Sequence, residues 1–325
     1  MHPAFSVIFL TTLIGAGQGL FLALYTAQVF SLFRLLPAQH PVTFYALGSL
    51  VALLLLVAGL AGSFLHLGRP ERAWRSAAMW RTSWLSREVI ALPACMAAVA
   101  AWGLVHYMGW NPPLFTIGGA YEADLALAVG AIGTVLCLAL FVCTGMIYAC
   151  IRFLQEWATP LTVVNYILFG GASGFMLATA FAAWQGTGLV DFYGIWAIIM
   201  TAMAFVTRSA SLVRNARLKH KSTMQSAIGV RHARIQQKAQ GAMAGSFNTR
   251  EFFHGASPRK YRFIKWVFLV LVFPLPLLLV SWGLSTQAAG LLIAAFLVQY
   301  VGLLAERWFF FAQANHPQNL YYQTV

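Results

Sequence analysis

Charge is what this sequence has least of. Only 9% of its 325 residues are Asp, Glu, Lys or Arg, and just eight are acidic. A water-soluble domain covers its surface with roughly a quarter ionic residues, so a soluble fold is excluded. Cysteine is also scarce. Cys95, Cys137, Cys143 and Cys150 are all there are, and none is spaced as CxxC. That excludes an iron–sulfur or zinc framework built from this chain alone, and cysteines in apolar stretches read as small buried hydrophobes. Of the eight histidines, His66 and His106 alone approach membrane depth, and they lie at opposite faces. A membrane haem held between two facing histidines is therefore not expected. The Met1-His2-Pro3 start lacks a basic n-region, and the apolar run behind it is too long for a cleaved signal.

Apolar surface is what the sequence has in excess: 60% of residues are hydrophobic, with a mean hydropathy of +0.72. The runs are far longer than the roughly 10-residue alternating strands of a membrane barrel, so helices are the expected solution. Eight spans are predicted, from Phe5 to Phe30, Val42 to Leu65, Val89 to Met108, Leu125 to Ile147, Leu161 to Trp184, Phe192 to Val206, Phe263 to Trp282 and Ala288 to Phe310. The sixth is the shortest, and a start nearer Leu189 would lengthen it. Each crosses about 30 Å of hydrocarbon at about 1.5 Å per residue, allowing for tilt. The fold class is all-α, a single integral membrane domain over residues 1–325. Gly15-Ala16-Gly17 and Gly170-Gly171-Ala172 suit close helix packing inside it.

The net charge of +13 invites a nucleic-acid reading, which the placement of the charges excludes. With eight spans, 20 of the 21 basic residues fall on one face, and only Arg34 lies opposite, where the loops carry Glu122, Asp124 and Asp191. By the positive-inside rule the basic face is cytoplasmic, so both termini are expected there, in a bacterial cytoplasmic membrane. Residues 208–262 form the one sizeable loop, basic throughout and ending in the aromatic run Phe247 to Gly255. It reads either as a tether drawn to anionic headgroups or as a docking platform for a soluble partner.

The densest chemical signal runs from His66 to Glu88. His66 ends the second span, and Gly68 and Pro70 turn the chain. Arg72, Trp74, Ser76 and Trp80 follow, and Glu88 opens the third span at the same depth as His66. Ser86 is the expected cap of that helix, which puts Glu88 in its first turn. A histidine that donates and regains a proton near neutral pH, beside a carboxylate that relays protons, suits a quinone headgroup. Trp74 and Trp80 would wall it. Taken singly, each of these residues has a structural reading: interface anchor, orienting charge or helix cap.

The run His66-Leu67-Gly68-x-Pro70-x-Arg72-Ala73, with Trp74, Ser76 and Glu88 after a spacer, resembles the membrane anchor subunits of the DMSO reductase family. An aromatic other than the expected phenylalanine stands at position 74. The resemblance implies eight helices without haem or an iron–sulfur cluster. It also implies a quinone site (ubiquinone or menaquinone) at His66, Gly68, Arg72, Trp74, Ser76 and Glu88. An iron–sulfur subunit and a molybdopterin catalytic subunit would dock beside that site. Because the loop lies on the basic face, the resemblance is to the cytoplasm-facing, sulfite-oxidising branch, in which electrons from sulfite pass through the iron–sulfur partner to quinone. Two other readings are an anchor that oxidises quinol for a DMSO or polysulfide reductase, and a small-solute transporter. The latter usually needs ionisable residues or broken helices near the midplane, whereas the spans read as nearly charge-free.

Overall fold

The computed structural model describes residues 1–64, 67–219, 221–236, 252–317 and 319. Eight of its helical segments are long and apolar enough to cross a membrane, as the hydropathy pattern requires. In lipid every backbone polar group must be satisfied within the segment, so each span is a helix. Helix α1 (Phe5–Leu32) is followed by a π-helical turn (Pro41–Ala46) leading into α2 (Leu47–Phe64). A 3-10 helix (Pro70–Met79) then precedes α3 (Trp84–Met108). On the far side a hairpin, β1 (Pro113–Ile117) and β2 (Tyr121–Asp124), leads into α4 (Leu125–Ala149). The hairpin turn places Gly118 and Gly119 at positive φ, which glycine tolerates without strain. Helices α5 (Pro160–Gln185), α6 (Val190–Ala216), the short α7 (Met224–Ile228), α8 (Pro258–Val272), α9 (Pro274–Thr286) and α10 (Ala289–Gln313) complete the described elements.

The seventh span is broken. Helices α8 and α9 meet at Phe273, where Pro274 and Pro276 remove backbone donors. The Gln299 side chain on α10 reaches the freed carbonyl of Val272 and the Thr201 hydroxyl, in keeping with neighbouring helices re-satisfying such breaks.

The core is centred on α1 and α5, which cross at glycines. A Cβ on Gly174 would overlap the backbone of Gly19, and one on Gly19 would overlap the Gly170 carbonyl. Here the backbones approach as small-residue membrane interfaces do. Of the small-residue clusters read from the sequence, Gly170 lies at this crossing, while Gly17 faces α2 instead. Gly174→Val should separate the two central helices and cost about 3 kcal/mol. It is expected as a sharp fall in folded protein recovered in detergent; unchanged thermal stability would contradict the crossing.

Two boundaries differ from expectation in ways that matter for function. Helix α6 continues ten residues beyond Val206 to Ala216, and α10 continues to Gln313. Arg208, read as a rim charge, is therefore inside the helical bundle and buried, and Arg307, counted with the rim charges although it falls within the predicted eighth span, is buried as well. The cysteines divide as well: Cys95, Cys137 and Cys143 are buried, but Cys150, just past α4, is exposed.

Candidate functional site

Helix α3 starts at Trp84, with the Ser83 side chain accepting from the Ser86 amide as its cap. The expected cap at Ser86 is thus displaced by one turn. Ser86 is buried within the helix, and Glu88 lies in the second turn, about 6 Å along the axis from Trp84. There the Thr144 hydroxyl on α4 donates to Glu88 Oε1 at 2.5 Å. Glu88 and Thr144 line a cavity of about 30 Å³ with Gln18, Tyr166, Ser173 and Arg307. Five spans contribute: α1, α3, α4, α5 and α10. Its residues lie in the half of each span nearest the basic rim.

Arg307 is held in place by a buried ionic triad. Its Nε lies 2.8 Å from Glu306 Oε2, and Arg208 Nη2 lies 2.8 Å from Glu306 Oε1. All three side chains are at most 5% exposed. The Arg307 guanidinium also sits over the Tyr166 ring at 4.2 Å, so an aromatic face adds to its stabilisation. A second, smaller cavity of about 10 Å³ lies beyond, lined by Glu156, Thr162, Asn165, Arg208, Ser211 and Glu306, with Arg307 common to both. The spans are thus not free of charge. The Glu306-Arg307 pair, adjacent within an apolar run, was the available signal, because ionisable residues at that depth face the bundle interior and pair.

The other residues singled out in the sequence are placed differently. His66 lies outside the described residues. Gly68, Arg72, Trp74 and Trp80 are exposed, Ser76 is partly buried, and none of them lines the Glu88 cavity. Trp74 is 71% exposed and Trp80 53%, each lying against a neighbouring arginine, Arg75 or Arg81. Among the described residues, Arg72 pairs with Glu71 at 3.9 Å. The 3-10 helix carrying most of them packs against α3. Arg87 clamps the two together, donating to the Trp80 and Arg81 carbonyls and stacking on Trp84 at 4.2 Å. The loop is thereby tied to the helix that carries Glu88. His106 is packed between Tyr45 and Trp102, on the opposite half of the bundle.

The basic loop is shorter than read. Its first nine residues belong to α6, where Arg214 donates to the Gln155 carbonyl and Asn215 to that of Glu156, pinning the α4–α5 loop. Residues 247–251 of the aromatic run lie outside the described residues. Phe252 stacks on His316 at 3.7 Å, and His254 stacks on Tyr261. Burial lowers the titration of both imidazoles below the usual histidine range. The end of the run therefore folds back on this chain.

A family model described as DMSO reductase anchor subunit (DmsC) matches residues 1–322. The chain belongs to this family. A sulfite dehydrogenase subunit from Allochromatium vinosum is 63% identical over 325 residues, a match that spans the whole of both chains. The resemblance read from the His66–Glu88 segment is borne out over nearly the full length. An anchor subunit is, in physical terms, what the eight apolar spans and the single sizeable polar loop provide. Among the described residues of this family member, no group of three or more His, Cys, Asp or Glu side chains is placed to hold a metal ion.

Proposed function

We propose that this chain is the quinone-reactive membrane anchor of a sulfite-oxidising molybdenum and iron–sulfur enzyme. The observation that carries this reading is Glu88: a carboxylate inside a span, hydrogen-bonded by Thr144 and lining a small cavity whose otherwise largely apolar wall also carries Gln18, Ser173 and Arg307. The segment from Pro70 to Arg81 is fastened to the same helix end by Arg87. Quinone reduction consumes two protons beside a lipid-soluble carrier, and an ionisable group at the rim of the bundle meets that need. At about 30 Å³, the cavity is water-sized, far below the roughly 300 Å³ of a pocket for an organic ligand. The headgroup therefore approaches Glu88 from the side of the 3-10 helix and lipid, with the cavity behind the carboxylate. His66, Gly68, Arg72, Trp74, Ser76 and Trp80 form the approach.

The family and the relative's name support an iron–sulfur subunit and a molybdopterin subunit as partners. The basic face supports their docking on the cytoplasmic side of a bacterial inner membrane, with the loop after α6, residues 217–257, as the platform. Arg217, Lys219, Lys221, Arg231 and Arg234 are exposed or partly exposed on it. The relative's name supports sulfite as the electron source, with quinone as the acceptor in this reading; a quinol-oxidising anchor would use the same site.

The purified complex should couple sulfite oxidation to quinone reduction, and a photoreactive quinone should label the segment from His66 to Glu88. Labelling confined to the opposite half of the bundle, or solute flux by the isolated chain without copurifying redox subunits, would refute the assignment.

A further inference from the structure

The two cavities and the charges between them have no counterpart in the approach loop. Glu88 lines the first cavity, and Glu156, 7% exposed in the loop between α4 and α5 on the side of the basic rim, lines the second. Arg307 belongs to both. Among the described residues, Arg307 Nη1 and Arg208 Nε are buried with no protein hydrogen-bond acceptor. Buried polar atoms of this kind, next to space for a few waters, are met by ordered water. Hydroxyls and amides continue the lining: Thr162, Asn165 and Ser211 around the second cavity, Thr144, Ser173 and Gln18 around the first.

We propose that these cavities form a proton inlet from the cytoplasmic rim at Glu156, past the Arg208–Glu306–Arg307 triad, to Glu88. The proposal rests on the quinone reading of Glu88 and adds the route that resupplies it. Each quinone reduced takes two electrons, which arrive from the redox partner of that reading, and two protons. A proton leaves Glu88 for a quinone oxygen, and the carboxylate is reprotonated from the water file behind it. Electrostatics permits this. Arg208 and Arg307 contribute two positive charges, while Glu88, Glu156 and Glu306 contribute three negative ones when ionised. The file is therefore not a barrier to a cation, as an uncompensated arginine would be. Glu306 holds the two guanidinium groups still, leaving the outer carboxylates as the groups that gain and lose protons. Among the described residues, the titratable and charged groups facing Glu156 include the Met1 ammonium, Arg208 of α6, Tyr261 of α8, and Glu306 and Arg307 of α10.

The test uses the intact complex in membranes, a short-chain quinone as acceptor and a soluble dye as a quinone-independent control. Glu156→Gln should slow quinone reduction at least about tenfold while dye-linked turnover holds. Its pH–rate profile should shift to the acid side, and millimolar formate, a small proton carrier, should restore the rate. Glu156→Asp should keep most of the activity and serves if the glutamine variant assembles poorly. A Glu156→Gln complex with a normal rate and pH profile, beside an inactive Glu88→Gln complex, would overturn the inlet and leave the quinone site standing. Normal rates in both would overturn both. A loss shared by Glu156→Asp that neither acid nor formate relieves would mark Glu156 as structural and also overturn the inlet.

Discussion

Glu88→Gln should reduce quinone-coupled turnover by about 10²- to 10⁴-fold, the range over which positioned acid–base groups act. The substitution is nearly isosteric, and Thr144 still has a carbonyl oxygen to donate to in place of Glu88 Oε1. What is lost is the ability to hold and release a proton within reach of a carrier in the lipid. Assembly with the redox partners and dye-linked turnover should therefore stay near wild type, which separates this effect from misfolding. Glu88→Asp should fall between the two, since it keeps the acid but retracts it from Thr144. A glutamine variant within twofold of wild type for quinone reduction would remove Glu88 from the chemistry.

The second large effect is on stability. Glu306 is fully buried between Arg208 and Arg307. Replacing it with leucine leaves two guanidinium groups uncompensated in the bundle interior. Removing one partner of a buried ion pair costs about 3–5 kcal/mol, against a total folding stability of about 5–15 kcal/mol. Glu306→Leu should accordingly yield little folded protein, read as recovery from detergent and as thermal unfolding. Replacing all three residues together, Arg208→Met, Glu306→Leu and Arg307→Leu, should recover much of that stability. Apolar groups of similar volume often match a buried ionic cluster energetically. The triple variant should nevertheless stay impaired in quinone reduction, because the water file would lose its polar wall. A single variant as stable as wild type would mean that Glu306 does not compensate the two guanidinium groups in the folded protein.

Hydropathy and charge placement alone determined the eight spans, the all-α membrane fold and the uneven charge of the loops on its two faces. Each follows from a property that is local along the chain: an apolar run long enough to cross lipid, or a basic residue in the loop beside it. Glu88 was legible for the same reason, as a carboxylate at the start of an apolar run after a distinctive loop. The tertiary structure alone decided what Glu88 faces. Gln18, Thr144, Tyr166, Ser173 and Arg307 come from four other helices and are far apart in sequence, so no spacing brings them together. It also decided that Arg208 and Arg307 are interior residues. In sequence, a basic residue near a span's end looks like an orienting charge. Only when α6 runs on past Val206 and packs with α10 around Glu306 does burial make pairing obligatory. The exposure of Trp74 and Trp80 was likewise settled by how the 3-10 helix lies against α3, because a tryptophan near a membrane boundary has the same sequence signature whether it walls a site or faces outward.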